Sequence, residues 1–211
     1  MPHMVGTMMQ KRRIGAESSE TRARIIDAAE QVIREEGYAA ASTRRVATHA
    51  GLKPSLVHYY FPATEDLLLA VFKRGAEQSD AMITLALESG DPVRALWEFF
   101  ADASRTSLAM EFMALATHRK AISVEIARHG DAMRLRQAAL FERLIGDRLG
   151  EDAPAKAKGL SVVLAGIGRA LVMEHALGVS QGHAEARAIV GAWLDHLLAP
   201  TAPAGAVPQT A

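Results

Sequence analysis

The chain has 211 residues, no cysteine and no net charge, with hydrophobic residues at 49% and charged residues at 23%. These numbers fit a globular protein of one or two domains with a proper core. The absence of cysteine excludes disulfides, thiol catalysis and cysteine-type zinc sites, and net neutrality leaves only the local distribution of charge to point to a partner.

Ala, Leu, Arg and Glu are common and strand formers sparse, which predicts an all-α fold. No apolar run is expected to reach the length of about 18 residues that spans a bilayer. No hydrophobic signal core follows the cations Lys11, Arg12 and Arg13, so a cytoplasmic protein is the default expectation.

Residues 1–17 lack periodicity and are expected to form a flexible basic arm. Ser18 or Ser19 suits the cap of a first helix, in which Ile25, Ala29, Val32 and Ile33 recur on one face. Gly37 is expected to end it in a left-handed conformation. A second helix is predicted over 43–50, opened by Ser42 or Thr43 and stopped by Gly51. Pro54 suits the first turn of a third helix, which must end near Phe61 because Pro62 disfavours helical geometry before it. A fourth helix should start at Thr64, with Glu65 and Asp66 in the first turn, and run to Leu87.

Asp91-Pro92 predicts a helix over about 92–106. Residues 107–149 read as helical, with a break near His118 and a kink at Gly130. Two more helices are expected over 154–177 and 183–198. The Pro/Ala stretch 199–211 reads as a disordered tail.

Between Tyr38 and Thr64 the chain carries Arg44, Arg45 and Lys53 and no Asp or Glu. An acid-free segment with a turn in a neutral chain suits a polyanion. In a helix-turn-helix one short helix enters the major groove while its neighbour crosses the backbone. Gly51 makes the turn here, and Val46, Ala47, Leu52 and Val57 can pack the two helices together. Lys53, Ser55, His58, Tyr59 and Tyr60 are then left to face outward. Lys53 at a helix N-terminus suits phosphate. Ser55 and His58, three apart, can reach base edges, and the two tyrosines offer hydroxyls to phosphate oxygens. Phe61 is better read as core, and Arg45 as a solvated residue near phosphate.

Residues 22–72 resemble the N-terminal domain of the tetracycline-repressor (TetR) family of transcription regulators. The matching elements are Ala28-Ala29, Gly37-Tyr38, Ser42-Thr43-Arg44-Arg45-Val46-Ala47, Ala50-Gly51-Leu52, Tyr59-Tyr60-Phe61 and Leu67-Leu68. The resemblance implies a three-helix DNA-binding domain over 18–66. It also implies a helical ligand-binding and dimerisation domain over 67–198, with about nine helices in all. Contacts with a double-stranded DNA operator would fall on Thr43, Arg44, Lys53, Pro54, Ser55, His58, Tyr59, Tyr60 and Thr64. His58 stands where the family commonly has Tyr. Thr64 stands where it often has Lys, a loss that should remove about one phosphate contact and roughly 0.9 log units of salt slope.

The resemblance further implies a homodimer built on the last two helices, where Val163, Ile167, Ala170, Ile189 and Trp193 are the interface candidates. Leu171, Leu177, Ala186 and Leu197 continue the same periodicity, and Gly166 and Gly168 let another helix approach closely. A small apolar or amphipathic effector suits a cavity lined by aromatics and Met. Trp97, Phe100, Met110, Met113, His118 and His175 are its candidate lining, with Phe112 and Arg119 as weaker ones. No cofactor or metal is expected, because no histidine pattern of the H-E-x-x-H kind is present.

Gly178-Val179-Ser180-Gln181-Gly182 matches the G-x-S-x-G nucleophile elbow, but that chemistry needs a strand before the serine. A connector between helices is the simpler reading, and no enzyme is expected. The functional expectation is a ligand-responsive repressor on a palindromic operator. The alternatives are a helical protein-binding adaptor and a serine hydrolase built on Ser180.

Overall fold

The computed structural model describes residues 20–102 and 106–199. The basic arm, the Ser18/Ser19 cap, the end of the expected fifth helix at 103–105 and the tail from residue 200 onward lie outside the described residues.

The described residues form nine α-helices and one 3-10 turn, without a strand. They are α1 (Glu20–Glu36), the turn Tyr38–Ala40, α2 (Thr43–Ala50), α3 (Pro54–Tyr60), α4 (Thr64–Leu87), α5 (Pro92–Ala101), α6 (Thr106–Ala116), α7 (Lys120–Leu149), α8 (Ala153–Ala176) and α9 (His183–Leu198). The all-α expectation holds, and the starts at Thr43, Pro54, Thr64 and Pro92 and the break near His118 fall where the capping residues predict. Asp91 caps α5 by accepting the Arg94 amide at 3.1 Å.

Three local expectations need correction. Gly37 has φ 83° and ψ 161°, a positive-φ, extended-ψ state and not the left-handed helical one. It closes α1 through its amide to the Ile33 carbonyl at 3.0 Å and then redirects the chain into the 3-10 turn. α5 stops at Ala101, because Asp102 is extended. α7 runs unbroken through Gly130; one glycine costs a helix only about 1 kcal/mol, which the flanking turns absorb.

The chain divides into two compact units. Of the described residues, the first comprises those up to Gly75 and Glu111–Ile122, and the second those between Ala76 and Met110 and from Ser123 onward, so α4 contributes to both. In the first, Ile25, Ala29, Val32 and Ile33 of α1 are buried with Val46, Ala47 and Val57 of α2 and α3 and with Leu67 and Val71 of α4. Phe72 meets Phe112 edge-on at 5.5 Å, and the Glu111 carboxylate accepts the Tyr38 amide at 2.8 Å. The second has its own core of Ile83, Leu96, Trp97, Phe141, Leu164 and Leu194.

Contrary to the sequence expectation, α8 is long and apolar enough to cross a membrane by length and composition alone, with mean hydropathy 1.3 over its most apolar window. Its apolarity has a local use: Ala157, Leu160, Leu164, Leu171 and Val172 are buried. A Cβ on Gly168 would lie 2.6 Å from the Phe100 carbonyl oxygen, so α5 passes against the bare backbone of α8. The neighbour is backbone and cannot swing aside.

Gly168→Ala is therefore expected to destabilise the protein by about 1–3 kcal/mol. Gly130→Ala, on an exposed helix position with open space around it, should be neutral or stabilise by up to about 1 kcal/mol. Urea melts of the two variants check the contrast.

Candidate nucleic-acid interface

α2 and α3 have only 8 and 7 residues, too few to be stable alone. Their ends are set by local chemistry. The Ser42 hydroxyl accepts the Arg45 amide at 3.3 Å, capping α2. Gly51 takes the left-handed conformation (φ 64°, ψ 35°), which costs glycine little, and donates its amide to the Thr48 carbonyl. Leu52 donates to the Ala47 carbonyl at 2.9 Å, and α3 then starts with Lys53 as cap and Pro54 in its first turn.

This geometry sorts the side chains. Val46, Ala47 and Val57 are fully buried and Leu52 half-buried, while Arg44, Lys53, Pro54, Ser55, His58 and Tyr59 are exposed and Thr43 and Tyr60 half-exposed. Tyr59 and Tyr60 pack edge to face with ring centres 5.2 Å apart. Gly51, Leu52, Lys53, Ser55, Leu56 and Tyr59 line an open concavity of about 460 Å³ on this face. Phe61 is buried, as expected of a core residue, and the Arg22 guanidinium lies 4.9 Å over its ring.

Thr64 is exposed at the first position of α4. The reach-back cap there belongs to Asp66, whose carboxylate accepts the Ala63 amide at 3.1 Å.

The charge of the acid-free segment is smaller than its composition suggests. Arg45 donates to both carboxylate oxygens of Glu36, from Nε at 2.9 and 3.1 Å. The hydrogen bond and the charge of Arg45 hold the Glu36 carboxyl below its usual value, and Glu36 raises Arg45 in turn. Among the described residues Arg44 and Lys53 make no such pair. Sequence reasoning missed Arg24 on α1, which is exposed with a guanidinium nitrogen 3.4 Å from where a Cβ on Gly51 would be. Its signal was faint, an arginine on the polar side of a helix that reads as scaffold.

A second ionic group ties α1 to α4. Arg74 pairs with Asp27 and with Glu30, the latter at 2.6 Å, and Glu30 also accepts from Arg34 at 2.8 Å. Burial acts to raise the Glu30 pKa, but hydrogen bonds from Arg74 and Arg34 and their charges outweigh it, and the net direction is down.

The remaining candidates are dispersed. Trp97 is buried in the second unit's core and Phe100 packs against it. Met110 is half-buried in the same unit, and His175 is exposed at the end of α8. Met113 and His118 are exposed and belong to the first unit. Of the interface candidates, Val163, Ala170, Ile189 and Trp193 are exposed and Ile167 half-buried. Ser180 is exposed in the connector between α8 and α9. A helix and not a strand precedes it, which contradicts the nucleophile elbow. Among the described residues no group of His, Asp or Glu is placed to hold a metal ion.

Glu30→Gln should lower stability at neutral pH by about 1–2 kcal/mol through lost charged hydrogen bonds. The folded carboxyl lies below its usual 4.5, so its contribution is complete above that value and is lost as pH falls through the folded pKa. The natural chain should therefore lose stability faster than the variant as pH falls from about 5 to 3, read by thermal melts across that range.

Residues 25–71 match the family model of bacterial regulatory proteins, tetR family. No curated protein matches the chain. Among solved structures, a TetR transcription regulator from Haloarcula marismortui ATCC 43049 is 23% identical, with a TM-score of 0.67 over 84% of this chain and 97% of that one. A transcriptional regulator from Saccharomonospora viridis in complex with choline is 20% identical, with a TM-score of 0.68 over 84% and 96%. The multidrug binding protein EbrR, complexed with imidazole, is 25% identical, with a TM-score of 0.58 over 88% and 98%. The matched segment runs from α1 into α4, across the whole helix-turn-helix, so residues 25–71 are similar to the N-terminal domain of tetR-family regulatory proteins, and the chain shares its helical fold with the solved structures named above.

Proposed function

We propose that the chain is a ligand-responsive repressor that binds a palindromic operator as a homodimer in the cytoplasm. The observation that carries the DNA-reading part is the sorting on α3. Val57 is fully buried while Ser55, His58 and Tyr59 stand exposed beside Lys53. Ser55 and His58 then read base edges. Lys53, Arg44, Thr43 and the two tyrosine hydroxyls fix register on phosphates, with Pro54 shaping the start of the helix and the Thr64 amide available to a further phosphate. Arg24 joins them as a phosphate contact beside the turn.

The homodimer reading is supported by α8 and α9, which leave Val163 47%, Ile189 69% and Trp193 36% exposed. Side chains of this kind on neighbouring helices suit a second copy. A two-fold dimer presents its recognition helices to major grooves about 34–36 Å apart. The effector would bind the second unit and act through α4, which belongs to both units. It shifts DNA affinity only if it binds the two states unequally. The choline and imidazole complexes of the similar proteins support a small-molecule effector here.

Fluorescence anisotropy of a duplex from the DNA flanking the coding region, over a salt series, tests the reading. Arg44→Ala and Lys53→Ala should each weaken binding and reduce the salt slope by about 0.9. Arg45→Ala should change the slope less, since Glu36 already offsets its charge. Unchanged affinity in all three would contradict the DNA-binding face and favour the adaptor alternative. Ile189→Asp should halve the mass seen in sedimentation toward the 22.7 kDa of one chain; a natural protein already monomeric would remove the dimer.

A further inference from the structure

The arginines of the second unit differ in what answers their charge. Arg136 donates to the Asp80 carboxylate at 3.2 Å, and Arg94 pairs with Asp91 and Asp195. Among the described residues Arg187 and Arg148 have no carboxylate partner, but they donate to the carbonyls of Ala101 and Leu197. Those carbonyls lie in the last turns of α5 and α9, where unpaired oxygens and the helix dipole supply negative potential.

Arg134 has neither. It donates to the carbonyl of Ser161, in the middle of α8, where the oxygen already serves the helix ladder. Its other acceptor is the Gln137 amide oxygen at 3.4 Å. Burial lowers its pKa, and the like charge of Arg169 pushes the same way. The one acid of α8 is Glu174, and it is engaged with His183 at 2.8 Å. Gln137 and Ser161, the buried polar residues among those described, both sit at this seam between α7 and α8. A half-buried guanidinium that meets only a mid-helix carbonyl and an amide oxygen, feels the like charge of Arg169 and has no carboxylate partner among the described residues is a costly arrangement unless a counter-charge arrives.

We propose that the effector is an amphipathic anion, and that Arg134 and Arg169 receive its carboxylate or phosphate at the α7–α8 seam. The inference rests on the ligand-responsive reading above. Guanidinium pairs suit oxyanions because their forked donors match two oxygens at once. Phe100, Met133 and Ile167, partly buried around the same core, suit the apolar body. The buried residues of this unit include no carboxylate to balance a cation, so a ligand like choline is not the expected class.

Calorimetry on the full chain with octanoate, octyl phosphate, inorganic phosphate and octyltrimethylammonium tests this, with DNA anisotropy run in parallel. The alkyl anions should bind at least about tenfold tighter than the alkyl cation and tighter than inorganic phosphate, and the tighter of the two names the head group. Arg134→Met should weaken anion binding at least about tenfold while the ligand-free melting temperature does not fall. Arg169→Gln, at an exposed position, should weaken it in the same direction and serves if Arg134→Met does not fold. Equal binding of cation and anion, or anion affinity unchanged in the variants, would overturn the proposal. So would a lower melting temperature or lost dimer in ligand-free Arg134→Met, because the counter-charge would then lie in the protein assembly itself. Specific DNA binding without any anion binding would overturn this inference and leave the DNA-binding reading standing. Anion binding without specific DNA binding would do the reverse.

Discussion

The structure depends on the burial of one side of two helices that cannot stand alone. Val46, Ala47 and Val57 have no exposed surface, nor do Ile25, Ala29 and Val32 of α1. Each fully buried Val or Ile contributes about 1.5–3 kcal/mol, so this small cluster fixes α2 and α3 against α1. The left-handed Gly51 sets the angle between the two helices. Once the buried side is fixed, the outward side is fixed with it, and Ser55, His58 and Tyr59 have one direction left.

Electrostatics then act locally on a chain with no net charge. The Glu36–Arg45 pair spans the turn between α1 and α2 and is exposed, so it contributes little to stability. Its effect is on charge distribution, concentrating free positive charge at Arg44 and Lys53. In the Arg74 group, Arg74 and Glu30 are more sheltered, while Asp27 is exposed. The group lies on the scaffold side, tying α1 to the middle of the long α4. Glu111 accepting the Tyr38 amide brings a residue distant in sequence into the same unit.

Much of this was legible in the sequence, where local rules agree with one another. Ser42, Gly51, Pro54 and Asp91 mark helix ends by hydrogen bonding and backbone geometry that depend only on near neighbours. The buried faces of α1 to α3 follow from spacing alone. What was not legible depends on distant partners. Arg45 reads as a cation until Glu36, nine residues earlier, is found beside it. Gly168 reads as a weak point in α8 until Phe100 of α5 is found against it. The second unit offered no motif, because a helical bundle core needs only apolar side chains of suitable size. The candidates Trp97, Met113, His118 and His175, chosen by residue type, therefore scatter over both units.

The central claim is that the exposed face of α3 reads a DNA sequence. Footprinting on the DNA flanking the coding region tests it most directly, with a scrambled duplex as competitor. Two half-sites one helical turn apart should be protected, with protection surviving excess scrambled duplex and fading as salt rises. Protection lost equally to specific and scrambled competitors, or no protection at low salt, would contradict it.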